Sequence, residues 1–98
     1  MRDAIATVEI FAISTQADER PRRMTLVLSS PERSADGDQW CCRVALADLH
    51  RPEIVHAPDS VLALSRALDR ARGWLLDLES RGLVLARDRS GSRPFSLE

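Results

Sequence analysis

Three stretches of this chain alternate apolar and polar residues with a period of two, and one repeats at the period of a helix. From Ala4 to Ile13, Ala6, Val8, Ile10 and Ala12 fall on one side and Thr7, Glu9, Phe11 and Ile13 on the other, which predicts a strand. The polar run 14–21 ends in Pro21 and predicts a turn. Arg22 to Ser29 sets Met24, Leu26 and Leu28 against Thr25, Val27 and Ser29, so the two runs form an expected antiparallel hairpin. Residues 30–38 (SPERSADGD) are turn chemistry. Gln39 to Ala47 is the third expected strand, with Trp40, Cys42, Val44 and Leu46 on its buried side. After a turn at 48–52, Glu53 to Ala57 predicts a short fourth strand, and Leu83 to Leu85 a brief fifth.

Asp59 to Arg81 is the helical stretch. Val61, Leu64, Leu68, Ala71, Leu75 and Leu78 recur at spacings of three and four, flanked by Ala67 and Trp74. Arg66, Asp69, Arg70, Gly73 and Asp77 fall on the opposite, watered side. Asp59 after Pro58 is a ready N-cap, and Gly82 supplies the stop, with Leu83 folding back onto Leu78. Leu62 and Leu76 lie off the stripe, so the apolar arc is wider than a plain surface helix requires.

These elements predict an α+β domain spanning residues 1–98: an antiparallel β-meander of three to five strands with one long helix, about 59–81, packed on one face. A polar tail from 88 to 98, with Phe95 its one large anchor, need not be ordered. Four strands at about 4.8 Å spacing span roughly 15–20 Å, whereas a helix with its side chains is about 10–12 Å across. One helix therefore leaves sheet uncovered. The expected association surface is the open sheet face, represented by Phe11, Val27 and Arg43, an edge strand, or the helix margins at Leu62, Trp74 and Leu76.

Composition narrows the chemistry without naming one. Net charge is −1, which points to no strongly charged partner. All 14 basic residues are Arg, a bias expected of a GC-rich bacterial genome. The N-terminus has no basic-then-apolar leader and no apolar run approaches eighteen residues, so the expected setting is cytoplasmic, with no membrane partner. Adjacent Cys41 and Cys42 point to opposite faces of their strand. With His50 and His56 they give a spacing that lacks the short Cys-x-x-Cys of structural zinc sites, so Cys42 is expected in the core and Cys41 as a reduced thiol on the open face. No nucleophile motif accompanies either histidine, no carboxylates are paired, and no phosphate loop is present. No catalytic, metal or cofactor-binding residue is therefore singled out. Arg66, Arg70 and Arg81 with Arg87, Arg89 and Arg93 could line nucleic acid, but interspersed acids and missing exposed aromatics argue against it.

Trp40-x-Cys42 on the third strand and Asp59-Ser60-x-x-Ala63-Leu64 opening the helix resemble a family of small bacterial proteins known only as a domain of unknown function. The resemblance runs over roughly residues 4–80. It implies a bacterial source and a helix packed on a sheet, and it carries no activity or site residues with it. The expectation that follows is a non-enzymatic interaction module that forms a homodimer or binds another bacterial protein in the manner of an immunity protein or antitoxin. The alternative is a small-ligand binder or enzyme using a helix–sheet groove near His56 and Cys42.

Overall fold

The computed structural model describes residues 4–15, 19–47 and 49–97. Gln16, Ala17 and Asp18 of the first expected turn, Asp48 of the third and Glu98 of the tail lie outside the described residues. The chain forms an α+β fold with a six-stranded antiparallel sheet and one helix packed against it. In order these are β1 (Ala4–Ile13), β2 (Arg22–Ser29), β3 (Glu32–Arg33), β4 (Trp40–Ala47), β5 (His50–Ala57), α1 (Ser60–Ser80) and β6 (Val84–Ala86).

Strands β1, β2, β4 and β5 are a meander of successive neighbours. The short β3 continues the line of β2 along β4, pairing Glu32 with Cys41 and Arg33 with Trp40. The helix connection then returns the chain to the far side of β1, where β6 pairs Val84, Leu85 and Ala86 with Ile13, Ala12 and Phe11. β5 starts earlier than its hydrophobic pattern indicates, because Pro52 is tolerated on an edge strand, where its missing N–H breaks no ladder bond.

A break between β2 and β3 is closed by a side chain. Backbone pairing of β2 with β4 ends at Leu28–Val44 and resumes with β3 at Cys41. In the gap the Arg43 N–H donates to Ser29 Oγ at 2.8 Å, and the Cys42 thiol donates to the Ser29 carbonyl at 3.2 Å. This accounts for Ser29 being buried among apolar neighbours: its hydroxyl stands in for the missing strand acceptor.

The helix ends are set by the residues that predict them. Asp59 accepts from the Leu62 N–H at 2.7 Å, satisfying one of the orphan donors of the first turn. At the other end Gly82 takes φ +90°. Its N–H donates to the Glu79 carbonyl, and that of Leu83 to the Leu78 carbonyl, the paired bonds of a Schellman motif. The buried stripe, however, is rotated from the one expected. Ala63, Ala67, Ala71, Trp74, Leu75 and Leu78 are buried, Leu64 and Leu68 are half-buried, and Val61 is 78% exposed. Three alanines four apart let the helix approach the sheet closely over Cys42, Val44 and Leu46, and the leucines wedge along the sides of that contact.

The helix crosses the sheet obliquely. It begins beside Ala57, at the end of the sheet that holds Trp40, Arg33 and Ala4. It finishes at the opposite end, where Leu78 and Leu83 close against Ala12 and Met24. The corner formed by the first half of β1 is left out of this crossing. Beyond β6 the tail packs rather than trailing away: Phe95 is buried in the core, its N–H donates to the Leu85 carbonyl, and the Arg87 N–H donates to the Arg93 carbonyl.

Candidate functional site

The sheet face away from the helix carries Val27 and Arg43, as the alternation predicts. Val27 is half-buried and Arg43 exposed, and both line a shallow basin of about 710 Å³ with Ala4, Ser29, Ala45 and Pro52. Phe11 lies on the same face, but the tail takes it. Its ring is buried, with the Arg89 guanidinium 5.2 Å above it, a cation–π contact that occupies the surface expected for a partner. Cys41 also departs from expectation. It lies on the open side yet is buried, because both neighbouring strands flank it there, with Glu32 and His56 directly across.

The helix margins divide in a similar way. Trp74 is buried and stacks on His50, with ring centroids 4.7 Å apart and planes 12° off parallel. Leu62 is half-buried against the core. Leu76 is 58% exposed beside a depression shared with Arg72, Glu79, Phe95 and Leu97.

The region that sequence patterning did not single out is the first half of β1. Residues 4–7 are exposed and Val8 is half-buried, with Ile5 at 51%. On its inner side this run pairs with β2, and on its outer side β6 reaches only Phe11 to Ile13. Among the described residues no strand pairs with Ala4 to Ile10 from outside. The exposed edge is apolar apart from Thr7 and Glu9, and Glu9 is held by Arg23 at 3.7 Å. The opposite edge of the sheet, β5, is guarded. Pro52 lies within it, and Arg66 of the helix donates to the His56 carbonyl. Proline and covering side chains are the devices by which edge strands avoid pairing with other chains.

A groove between β5 and the helix, about 630 Å³ and open to solvent, is lined by Ile54, His56, Arg66, Asp69, Gly73 and Trp74. Cys42 is fully buried beneath the helix and does not reach it. A Cβ placed on Gly73 would meet nothing within 4 Å, so no contact within the chain calls for glycine there.

Of the six arginines that could line nucleic acid, the side chains of Arg66, Arg70, Arg81, Arg87 and Arg89 are engaged within the chain. Arg70 pairs with Glu53 at 3.1 Å, Arg72 with Asp69 at 2.6 Å and Arg81 with Asp77 at 3.0 Å. Arg87 lies over the Phe95 ring at 5.0 Å. In the turn after β6 the Ser90 and Ser92 hydroxyls, with the Arg93 N–H, donate to Asp88 and hold its carboxyl well below the usual carboxylate range. Among the described residues no group of three or more His, Cys, Asp or Glu is placed to hold a metal ion, neither cysteine is in a disulfide, and no helix is long and apolar enough to cross a membrane.

No family model, curated protein or solved structure matches the chain.

Proposed function

We propose that the protein is a non-enzymatic interaction module that works by associating with a second protein chain, in the first place with another copy of itself. The observation that carries this reading is the bare corner of the sheet at the start of β1, exposed on both faces and, among the described residues, unpaired along its outer edge. A lone domain gains nothing by leaving such an edge open, whereas an association surface requires one. The bacterial, cytoplasmic setting expected from sequence belongs to the same proposal, as does membership of the small bacterial family that the Trp40-x-Cys42 and Asp59-Ser60 motifs resemble. The neighbouring open-face basin with Val27 and Arg43 extends the candidate surface beyond the edge itself. Analytical ultracentrifugation from low micromolar to millimolar concentration tests the reading. A species at twice the 10.9 kDa monomer mass is expected, and a clean monomer throughout would remove it.

A second reading rests on Gly73. A glycine inside a helix weakens it by about 0.8–1.0 kcal/mol relative to alanine, and here its one visible consequence is to keep the floor of the β5–helix groove open. A small molecule or an extended peptide held between His56, Arg66 and Trp74 would explain that residue. Ligand-observed NMR with a fragment set, run on the wild type and on Gly73→Leu, separates the readings: binding lost in the variant favours the groove.

A further inference from the structure

From the backbone of β1 we infer that two copies join edge to edge, β1 against β1 in antiparallel pairing, with the twofold axis passing through Val8. The inference rests on the self-association reading above and gives it a register. In an antiparallel strand the N–H and C=O of one residue point to the same side, and successive residues alternate sides. The Phe95 N–H donates to the Leu85 carbonyl and the Arg87 N–H to the Arg93 carbonyl, so Leu85 and Arg87 face the tail and Ala86 faces β1. Ala86 lies opposite Phe11 and Leu85 opposite Ala12. Phe11 therefore directs its backbone groups outward to β6, and Ala12 directs its own inward to β2. The same alternation carries back along β1 to the bulge between Ala4 and Ala6. Glu9 and Thr7 thus point their N–H and C=O outward, where no described strand receives them, while Val8 and Ile10 bond to β2.

Two outward residues separated by one inward residue form a self-complementary edge. With the axis at Val8, Thr7 lies opposite Glu9 of the second copy and exchanges both backbone bonds with it, and the symmetry-related rung does the same. Val8 meets Val8 of the second copy as a non-hydrogen-bonded pair, the closer kind, on the helix side of the sheet. Ala6 lies opposite Ile10 on that same side and extends the apolar layer. No like charges oppose, because each Glu9 faces a threonine and is already paired with Arg23. The pairing stops at Ala6, because Ile5 would lie opposite Phe11, whose outward groups β6 of the second copy already holds, and the register irregularity between Ala4 and Ala6 falls at that point. The product is one continuous sheet with both helices on the same face. The guarded β5 edge offers no equivalent.

Val8→Cys and Thr7→Pro test the register. Non-hydrogen-bonded antiparallel pairs place Cα atoms about 4.5 Å apart, within disulfide range, so Val8→Cys should form a covalent dimer on mild oxidation. Thr7→Cys, which faces Glu9 across the axis, should cross-link at least 10-fold more slowly, and the wild type, with Cys41 and Cys42 buried, should not cross-link. Thr7→Pro removes an N–H that no described strand of the monomer receives, so its circular dichroism melt should stay near wild type while its dimer weakens at least 10-fold in ultracentrifugation. A wild-type dimer with Thr7→Cys cross-linking as fast as Val8→Cys, or with Thr7→Pro still dimeric, overturns this register and leaves self-association standing. A monomeric wild type overturns both. Should Thr7→Pro fail to fold, the Val8→Cys to Thr7→Cys rate ratio decides alone.

Discussion

Gly73→Ala is expected to make the protein more stable. Position 73 lies on the solvent side of α1, and an added Cβ would meet nothing within 4 Å, so the substitution brings no steric cost. What remains is the difference in helix propensity, about 0.8–1.0 kcal/mol in favour of alanine. For a domain of this size about 1 kcal/mol moves the melting temperature by roughly 4–8 °C, so the expected rise is about 3–8 °C. Urea unfolding followed by far-UV circular dichroism should show the same gain as a higher midpoint with an unchanged slope. A melting temperature that stays put or falls would refute the reasoning, because it would mean that the backbone at 73 needs glycine for a reason internal to the fold. A gain would show that the fold itself does not call for glycine at position 73. The dimer mass should not change, since β1 is separated from the β5–helix groove by the rest of the sheet.

Ser29→Ala leaves the Arg43 N–H without its 2.8 Å acceptor in the β2–β3 gap, and should cost about 1–3 kcal/mol by denaturant unfolding; Ser29→Thr keeps the hydroxyl and should recover most of it. Phe95→Ala removes the buried anchor of the tail and should cost about 3 kcal/mol, with hydrogen exchange rising first in residues 87–97 because those backbone bonds lean on it. The Asp88 carboxyl, held low chiefly by the Ser90 and Ser92 hydroxyls, should remain ionised at pH 3, where an ordinary aspartate is mostly protonated. The sign follows from the depressed value: its contribution to the turn is complete above about pH 4 and is lost only as pH falls through the folded-state value. Carboxyl carbon chemical shifts across pH 1–6 read this directly, and a midpoint near 4 would contradict it.

Much of the fold is legible in the residues that punctuate it. Asp59 and Gly82 bracket the helix because a cap and a left-handed stop act locally, whatever the helix packs against. The alternation in Ala4–Ile13 and Arg22–Ser29 gives β1 and β2 to the residue, although only β2 buries one face and opens the other; β1 is exposed on both faces from Ala4 to Thr7 and buried on both from Ile10 to Ala12. What tertiary context decides is harder to read. The helix stripe is centred on Ala63, Ala67 and Ala71 rather than on the larger Val61, Leu64 and Leu68, because closeness of approach, not bulk, selects the contact line. β3 is two residues long and has no period to show. Pro52 reads as a breaker until β5 is known to be an edge.

The candidate surface shifted for the same reason. Phe11 and Trp74 look available in sequence, but the tail's Arg89 and the His50 ring cover them, through contacts between residues distant along the chain. Val27, Arg43 and Leu76 do face outward. The open half of β1 could not be found from its own pattern, because alternation gives faces and not strand order. It is the placement of β6, whose pairing with β1 stops at Phe11, that leaves this half of the strand open.

The most direct test of the central claim is sedimentation equilibrium of the wild type beside Thr7→Pro, both verified as folded by circular dichroism. The account predicts a reversible wild-type dimer near twice 10.9 kDa and a monomer for the variant at the same concentration. A wild type that remains monomeric at millimolar concentration would contradict it.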